Sequence, residues 1–176
     1  MFVDALGNPS NIHSIKNICQ GHNLPLIEDA ACALGSSEFN QKNGSIADLT
    51  CFSFHPRKLL TTGEGGAITT NNKAYADLLK VKLNHGAIYN NNKLDFIQPG
   101  YNYRMTEFQA VMGIESLKKL NSVIFSRNKI KNQYINLLTP LGFTPQTLSF
   151  GAFHNIQSVI FQVPKDIKRD ELILFL

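Results

Sequence analysis

The sequence predicts an α/β fold built around a mostly parallel sheet. Residues 2–6 form an apolar segment of strand length, apolar residues recur at helical spacing over residues 12–19, and a second apolar strand is expected at residues 24–28. Two strands joined by a helix in this way make a βαβ crossover, which places both strands parallel in one sheet. The 176 residues are 43% hydrophobic and 17% charged, as expected of a globular chain.

Further elements follow along the chain. Two strands are expected at residues 49–54 and 66–70, and a helix over residues 74–83. Residues 89–99, with their run of three asparagines, are predicted to be a loop. Thr106 and Gln109 have the spacing of a capping box and open a helix. The apolar residues of that helix are expected to face a core: Phe108, Val111, Met112 and Leu117.

The last third of the sequence predicts a basic helix over residues 121–138 with a solvated face, and a final helix from residue 166. Residues 139–142, which include a proline and a glycine, mark the expected boundary between two domains. The final helix reaches Leu176 without a C-cap glycine, and the first strand needs neighbours on both sides. Both ends are therefore expected to be cut from a longer chain.

Charge and cysteine content exclude several classes of function. The net charge of +4 is small and diffuse, so no nucleic-acid partner is expected. The longest apolar runs fall far short of the roughly 20 residues that cross a bilayer, so neither a membrane span nor a membrane partner is expected, and the chain is expected to be cytoplasmic. Cys19, Cys32 and Cys51 are odd in number and form no C-x-x-C pair. Neither a disulfide framework nor a metal site is predicted.

Two polar residues follow the predicted strands at the edge of the sheet where ligands bind in open α/β folds. Asp29 follows the strand at 24–28, and Lys58 follows the strand at 49–54. A carboxylate and an amine meeting there are the pair that pyridoxal phosphate (PLP) requires, the amine for a Schiff base and the acid for the pyridine nitrogen. The residues alone leave other interpretations open. Asp29 would also suit a helix N-cap, and Lys58 a solvated surface position.

Four sequence blocks in order carry a resemblance to a known family. They are IEDAA at residues 27–31, FSFHPRKLLTTGEGG at 52–66, NHG at 84–86 and GYNYRMTEFQA at 100–110. Together they closely resemble the DegT/DnrJ/EryC1/StrS family of PLP-dependent sugar aminotransferases. The resemblance implies a fold-type I PLP-dependent transferase. Residues 1–139 would be part of its PLP-binding large domain with the following helices, and residues 140–176 the beginning of its small C-terminal domain.

The resemblance also implies roles for residues of the cofactor site. Lys58 matches the lysine that forms the Schiff base and moves the proton, and Asp29 matches the partner of the pyridine nitrogen. Ser53 matches a ligand of the cofactor phosphate, and Asn102 matches a residue that reaches the phosphate from the other subunit of a homodimer. Cys32 stands at a cofactor-binding position but departs from the family pattern, since many relatives carry Gln or His beside the cofactor ring. A thiol is a poor hydrogen-bond donor, so the contact there is expected to be either lost or replaced by packing.

Three further residues match family positions with alternatives left open. Arg104 is a candidate for binding the carboxylate of the amino donor, or forms a structural ion pair with Glu107 or another acid. His55 and His85 would contact the sugar, or serve as hydrogen-bonded structural histidines.

The implied reaction transfers an amino group, with L-glutamate as the expected donor, to the keto group of a nucleotide-activated sugar. The product would serve amino-sugar and surface-polysaccharide synthesis. One alternative is a non-catalytic truncated remnant or split-gene product of such an enzyme, and the 176-residue chain alone is expected to be inactive. A second is a PLP-dependent sugar dehydratase, which Lys58 disfavours because that branch lacks the lysine. The sugar, the nucleotide and the aminated carbon are left open.

Overall fold

The structure, a computed structural model, describes residues 1–9, 11–91 and 93–176. Its helices are α1 (Ile12–Gly21), α2 (Lys73–Leu83), α3 (Glu107–Leu138) and α4 (Arg169–Phe175). Its strands are β1 (Phe2–Val3), β2 (Ile27–Asp29), β3 (Ser37–Glu38), β4 (Gln41–Lys42), β5 (Leu49–Ser53), β6 (Gly66–Thr69), β7 (Ala87–Asn90), β8 (Lys93–Phe96), β9 (Thr144–Pro145), β10 (Ala152–Phe153) and β11 (Phe161–Gln162).

The main sheet has the strand order β1-β2-β5-β6. Strands β1, β2 and β5 are parallel, with Ile27 opposite Leu49, and β6 runs antiparallel to β5. The predicted α/β fold with a mostly parallel sheet is thus confirmed. Helix α1 covers the sheet with Ile12, which packs with Leu26, Ile46 and Ala47 in the buried core. This crossover brings the carboxyl ends of β2 and β5 to one edge.

Strand β2 is shorter at its start than the sequence predicts and includes Asp29 at its end. Pro25 has no N–H for a sheet partner. The N–H of Leu26 donates to Asp48 Oδ2 at 2.7 Å instead of to a neighbouring strand. Regular pairing therefore begins only at Ile27.

Residues 89–99 are not the predicted loop, because most of them belong to a hairpin. Strands β7 and β8 pair antiparallel, with Asn90 opposite Lys93. Asn91, in the connection between them, has φ +46°, a conformation that asparagine tolerates better than most residues. Asn92, which also falls in the predicted loop, lies outside the described residues.

Helix α3 corrects a second prediction, since the two expected helices are one helix of 32 residues. The capping box of Thr106 and Gln109 is confirmed at its start, and no proline interrupts the helix before residue 138. Its buried residues are Leu120 and Ile124. The residues predicted to face a core are exposed, at 76% for Phe108, 59% for Val111, 55% for Leu117 and 39% for Met112. The described chain places no element over that side of the helix.

The C-terminal segment returns to the residues near the first strand. Strand β10 pairs antiparallel with β3, with Ala152 opposite Glu38. Helix α3 ends at Leu138 and a 3-10 turn covers Thr139–Leu141. The division into domains at residues 139 and 140 stays a prediction.

Among the described residues, no helix is long and apolar enough to cross a membrane, and no group of three His, Cys, Asp or Glu residues is arranged to hold a metal.

The N-terminus of α1 is capped by a residue that is distant in sequence. Glu38 is 1% exposed, and its carboxylate accepts from the backbone N–H of Asn11 at 2.8 Å and of His13 at 3.0 Å. It also contacts His13 Nδ1 at 2.7 Å. Asn11 itself makes no side-chain cap bond. The carboxylate therefore satisfies N–H groups that the helix leaves free.

We expect Glu38→Ala to lower the free energy of unfolding by about 2–4 kcal/mol, since the change leaves donors unsatisfied near a buried site. Urea unfolding measures the effect. Glu115→Ala is the matched control, because Glu115 is an exposed glutamate paired only with Lys118. Equal stabilities of the two variants would contradict the capping role of Glu38.

Candidate cofactor cleft

An open cleft of about 610 Å³ lies at the end of β5. The loop that follows β5 supplies four of its eight lining residues. Its lining residues are Cys32, Ser53, His55, Arg57, Lys58, Glu64, Gln157 and Ser158. Four of the residues that the sequence predicted for the site, namely Cys32, Ser53, His55 and Lys58, thus share one cavity.

Lys58 is half-buried in this cleft. Its Nζ donates to Cys32 Sγ at 3.0 Å, and its backbone N–H donates to the carbonyl of His55 at 2.9 Å. The side chain is therefore held beside another side chain of the site instead of extending into solvent. This position speaks against the interpretation of Lys58 as a solvated surface lysine.

Asp29 ends β2 and is half-buried. Its Oδ1 accepts from the N–H of Ala31 at 3.0 Å, but the residues that follow form a turn, so Asp29 caps no helix. Burial, and secondly the Asp29 carboxylate, raise the pKa of the Cys51 thiol, which lies opposite Asp29 on β5. Within the described chain, Asp29 makes no ion pair with Lys58 and does not line the cleft.

Ser53 and His55 stand on the loop side of the cleft. Ser53 Oγ accepts from the backbone N–H of His55 at 3.4 Å, and His55 Nδ1 accepts from the N–H of Arg57 at 3.2 Å. His55 Nε2 lies 3.9 Å from Glu64 Oε1. His55 is thus hydrogen-bonded to the loop, which fits its interpretation as a structural histidine.

Asn102, Arg104 and His85 lie apart from the Lys58 cleft. Asn102 is exposed and forms an isolated bridge with Asn84, whose side-chain oxygen accepts from Arg104 Nη1 at 2.6 Å. Arg104 therefore does not form the alternative ion pair with Glu107. The ring of His85 is exposed, and its backbone N–H donates to the carbonyl of Tyr101 at 2.8 Å. The roles of these residues stay predictions.

Among the residues of the cleft that the sequence did not predict are two amides that bond its walls, Gln157 and Asn155. Gln157 Nε2 donates to the carbonyl of Arg57 at 2.9 Å, and its Oε1 accepts from the N–H of Leu59 at 3.2 Å. Asn155 is fully buried, and its Nδ2 donates to the carbonyl of Cys32 at 2.8 Å. They belong to no recognisable motif, and only the folded chain brings them to the site.

A buried polar cluster adjoins Asp29 along β2. Asn43 Nδ2 donates to Glu28 Oε1 at 2.8 Å and to Asp4 Oδ2 at 2.5 Å, and Thr50 Oγ1 donates to Glu28 Oε2 at 2.6 Å. Burial, and secondly the nearby Glu28 carboxylate, raise the pKa of Asp4 to about 9. The raised pKa favours the protonated form of Asp4 at neutral pH. Its backbone N–H donates to the carbonyl of Asp29 at 3.0 Å, which connects the cluster to the strand that carries Asp29.

The mostly parallel sheet and the lysine-bearing cleft at its edge agree with the class that the resemblance implies, the fold-type I PLP-dependent transferases. Residues 1–176 match the model of the DegT/DnrJ/EryC1/StrS aminotransferase family over their whole length. The chain belongs to this family.

Individual relatives agree with this assignment. The chain is 42% identical over 135 residues to a UDP-4-amino-4,6-dideoxy-N-acetyl-beta-L-altrosamine transaminase of Campylobacter jejuni, an alignment that covers 75% of this chain and 35% of that protein. It is similar to the structure of Helicobacter pylori PseC, with a TM-score of 0.90 and 28% identity, over 98% of this chain and 47% of PseC. It also matches the PLP form of Spr1654 from Streptococcus pneumoniae, with a TM-score of 0.80 and 25% identity, over 98% of this chain and 49% of Spr1654.

This chain spans between about a third and a half of the length of these relatives. The family and its PLP-form neighbour indicate pyridoxal phosphate as the cofactor. The side chains of this cleft suit that group. They offer an amine at Lys58 and a hydroxyl at Ser53. The carboxylate of Asp29 stands outside this lining, at the end of the adjacent strand β2.

Proposed function

We propose that this chain forms part of a PLP-dependent aminotransferase that transfers an amino group, with L-glutamate as donor, to the keto group of a nucleotide-activated sugar. The observation that carries the proposal is the half-buried amine of Lys58, held beside Cys32 in the cleft at the end of β5. The similarity to a transaminase named for a UDP-linked amino sugar supports the substrate class.

Three side chains would hold the cofactor. Lys58 would bind it covalently through Nζ, Asp29 would face its ring nitrogen, and Ser53 would donate its hydroxyl to the phosphate. When bound, PLP supplies a ring that accepts electrons from the substrate carbon. Once the amino donor has displaced Nζ from the cofactor, the free amine of Lys58 would move the proton from the substrate carbon to the cofactor. Cys32 Sγ would accept a hydrogen bond from this amine.

The remaining roles concern partners. Asn102 is exposed and does not line the Lys58 cleft, which suits a residue that reaches the cofactor phosphate of a second subunit in a homodimer. Arg104 would bind the carboxylate of the amino donor. It lines a second cavity of about 430 Å³, and Glu64 lines both that cavity and the Lys58 cleft.

Trapping of the cofactor tests the proposal. PLP is added to the purified protein, the mixture is reduced with borohydride, and the modified peptide is identified by mass spectrometry. We expect the pyridoxyl group on Lys58, and its loss in Lys58→Ala. Lys73→Ala is the matched control, because Lys73 is an exposed lysine paired with Asp77. A pyridoxyl group on Lys73 or Lys80 with Lys58 unmodified would overturn the assignment.

Assays of the reaction products distinguish the aminotransferase from the two alternatives, a non-catalytic product and a dehydratase. Amino transfer from glutamate to a nucleotide-linked keto-sugar supports the aminotransferase. Trapping on Lys58 without transfer in a preparation of the whole protein would favour a non-catalytic product, and loss of a sugar hydroxyl without transfer of nitrogen would favour a dehydratase.

A further inference from the structure

We propose that Gln157 and Asn155 are positioning residues that fix the loop carrying Lys58 against the turn carrying Cys32, and so orient the amine of Lys58 in the cleft. The proposal rests on the proposed function only for the chemical role of Lys58. The positioning itself follows from contacts within this chain.

Gln157 holds the backbone on both sides of Lys58. Its Nε2 donates to the carbonyl of Arg57, and its Oε1 accepts from the N–H of Leu59, at 2.9 and 3.2 Å. A single planar carboxamide thus bonds the residue before the lysine and the residue after it. The direction in which the Lys58 side chain leaves the backbone is therefore tied to the position of Gln157.

Asn155 holds the opposite wall of the cleft. Its Nδ2 donates to the carbonyls of Cys32 and Leu34, at 2.8 and 3.0 Å. Its Oδ1 accepts from the backbone N–H of Gln157 at 2.9 Å. Asn155 therefore bonds the turn that carries Cys32 and also the backbone of the residue that bonds the Lys58 loop.

The two amides form one continuous connection between the walls. It runs from Cys32 through Asn155 and Gln157 to the backbone around Lys58, and the contact from Lys58 Nζ to Cys32 Sγ at 3.0 Å closes the ring. Gly7 packs closely against Asn155 and the backbone of Cys32 in this connection. A Cβ on Gly7 would lie 2.4 Å from Asn155 Oδ1 and 2.6 Å from the carbonyl oxygen of Cys32.

Chemical modification of Lys58 in cofactor-free protein tests the proposal. The protein is treated with a trace of acetic anhydride across a pH series, and the extent of acetylation of Lys58 is read by peptide mass spectrometry. In Gln157→Leu we expect Lys58 to react about five- to thirtyfold faster, because the loop opens more often.

Controls separate local from global effects. Gln162→Leu changes a glutamine on β11 and should leave Lys58 unchanged. Lys16 is the internal reference, since its side chain is 17% exposed and paired with Asp48 far from the loop. A parallel rise at Lys16 in Gln157→Leu would mean general unfolding and would overturn the positioning role.

A conservative variant keeps the test informative if Gln157→Leu folds poorly. Gln157→Glu keeps an acceptor for the N–H of Leu59 but sets a carboxylate against the carbonyl of Arg57. We expect a smaller rise in the reactivity of Lys58 in this variant. Unchanged reactivity of Lys58 in both variants would overturn the proposal. A second outcome separates the two proposals. If Lys58 is acetylated faster in Gln157→Leu but PLP is not trapped on Lys58 of the unchanged protein, the proposed function is overturned and the positioning role is supported.

Discussion

Asp29→Asn is expected to lower kcat for amino transfer by about 10²- to 10³-fold, the usual effect of losing one electrostatic contact to charge that the reaction develops. Asparagine keeps an oxygen acceptor for the N–H of Ala31, so the turn after β2 should survive. It lacks the negative charge that would hold a proton on the ring nitrogen. The measurement is the rate of amino transfer from glutamate in the whole protein that contains this chain, with the amount of bound PLP determined in the same preparation.

A matched control is Asp77→Asn, which removes an exposed carboxylate on α2 that pairs only with lysines. Its rate should equal that of the unchanged protein. If Asp29→Asn retained a near-normal kcat with full cofactor content, Asp29 would serve the turn and not the reaction.

The second large effect is a loss of stability as the pH rises. The pKa of Asp4 is raised to about 9 in the folded protein from about 3.8 for an ordinary aspartate. Between these two values the folded protein holds a proton that the unfolded chain releases. The contribution of this proton to the free energy of unfolding is fully present below about pH 4, and it is lost as the pH rises through about 9. The slope contributed by this one site is at most about 1.4 kcal/mol per pH unit.

Urea unfolding from pH 5 to pH 9 measures this slope, and Asp4→Asn isolates the contribution of Asp4. An amide resembles the neutral acid in shape and keeps an oxygen for Asn43 Nδ2, so the variant should fold and show a flatter dependence on pH. Asp95→Asn, on the exposed strand β8, should keep the original slope. An identical slope in Asp4→Asn and in the unchanged protein would show that Asp4 does not hold this proton.

Prediction from sequence succeeded where local pattern and packing agree. The crossover of β1, α1 and β2 was predictable because Ile12 and Leu26 are both buried and both belong to locally apolar segments. The prediction that the apolar side of α3 faces a core was wrong. Periodicity shows that Phe108 and Val111 share a face, but it does not show whether anything in the chain covers that face.

The candidate site likewise contains residues that the sequence predicted and residues that it missed. Lys58 lies inside one sequence block of the family and Cys32 follows another, so the sequence predicted both as site residues, although their contact at 3.0 Å required the structure. Asn155 and Gln157 lie in an irregular stretch between β10 and β11. Amides occur commonly in such stretches as turn residues. Only their bonds to distant backbone groups of the cleft distinguish Asn155 and Gln157 from ordinary turn residues.

The bonds from Asn155 and Gln157 to the two walls of the cleft join residues separated by 98 to 123 positions. Contacts of such long sequence separation carry a high loop-closure cost and form late in folding. During synthesis at about 5–20 residues per second, the loop with Lys58 emerges about 5–20 seconds before the residues that clamp it. The nascent chain can therefore build its parallel strands before these amides bond the loop of Lys58, and the cleft is completed only after residues 155 and 157 have been made.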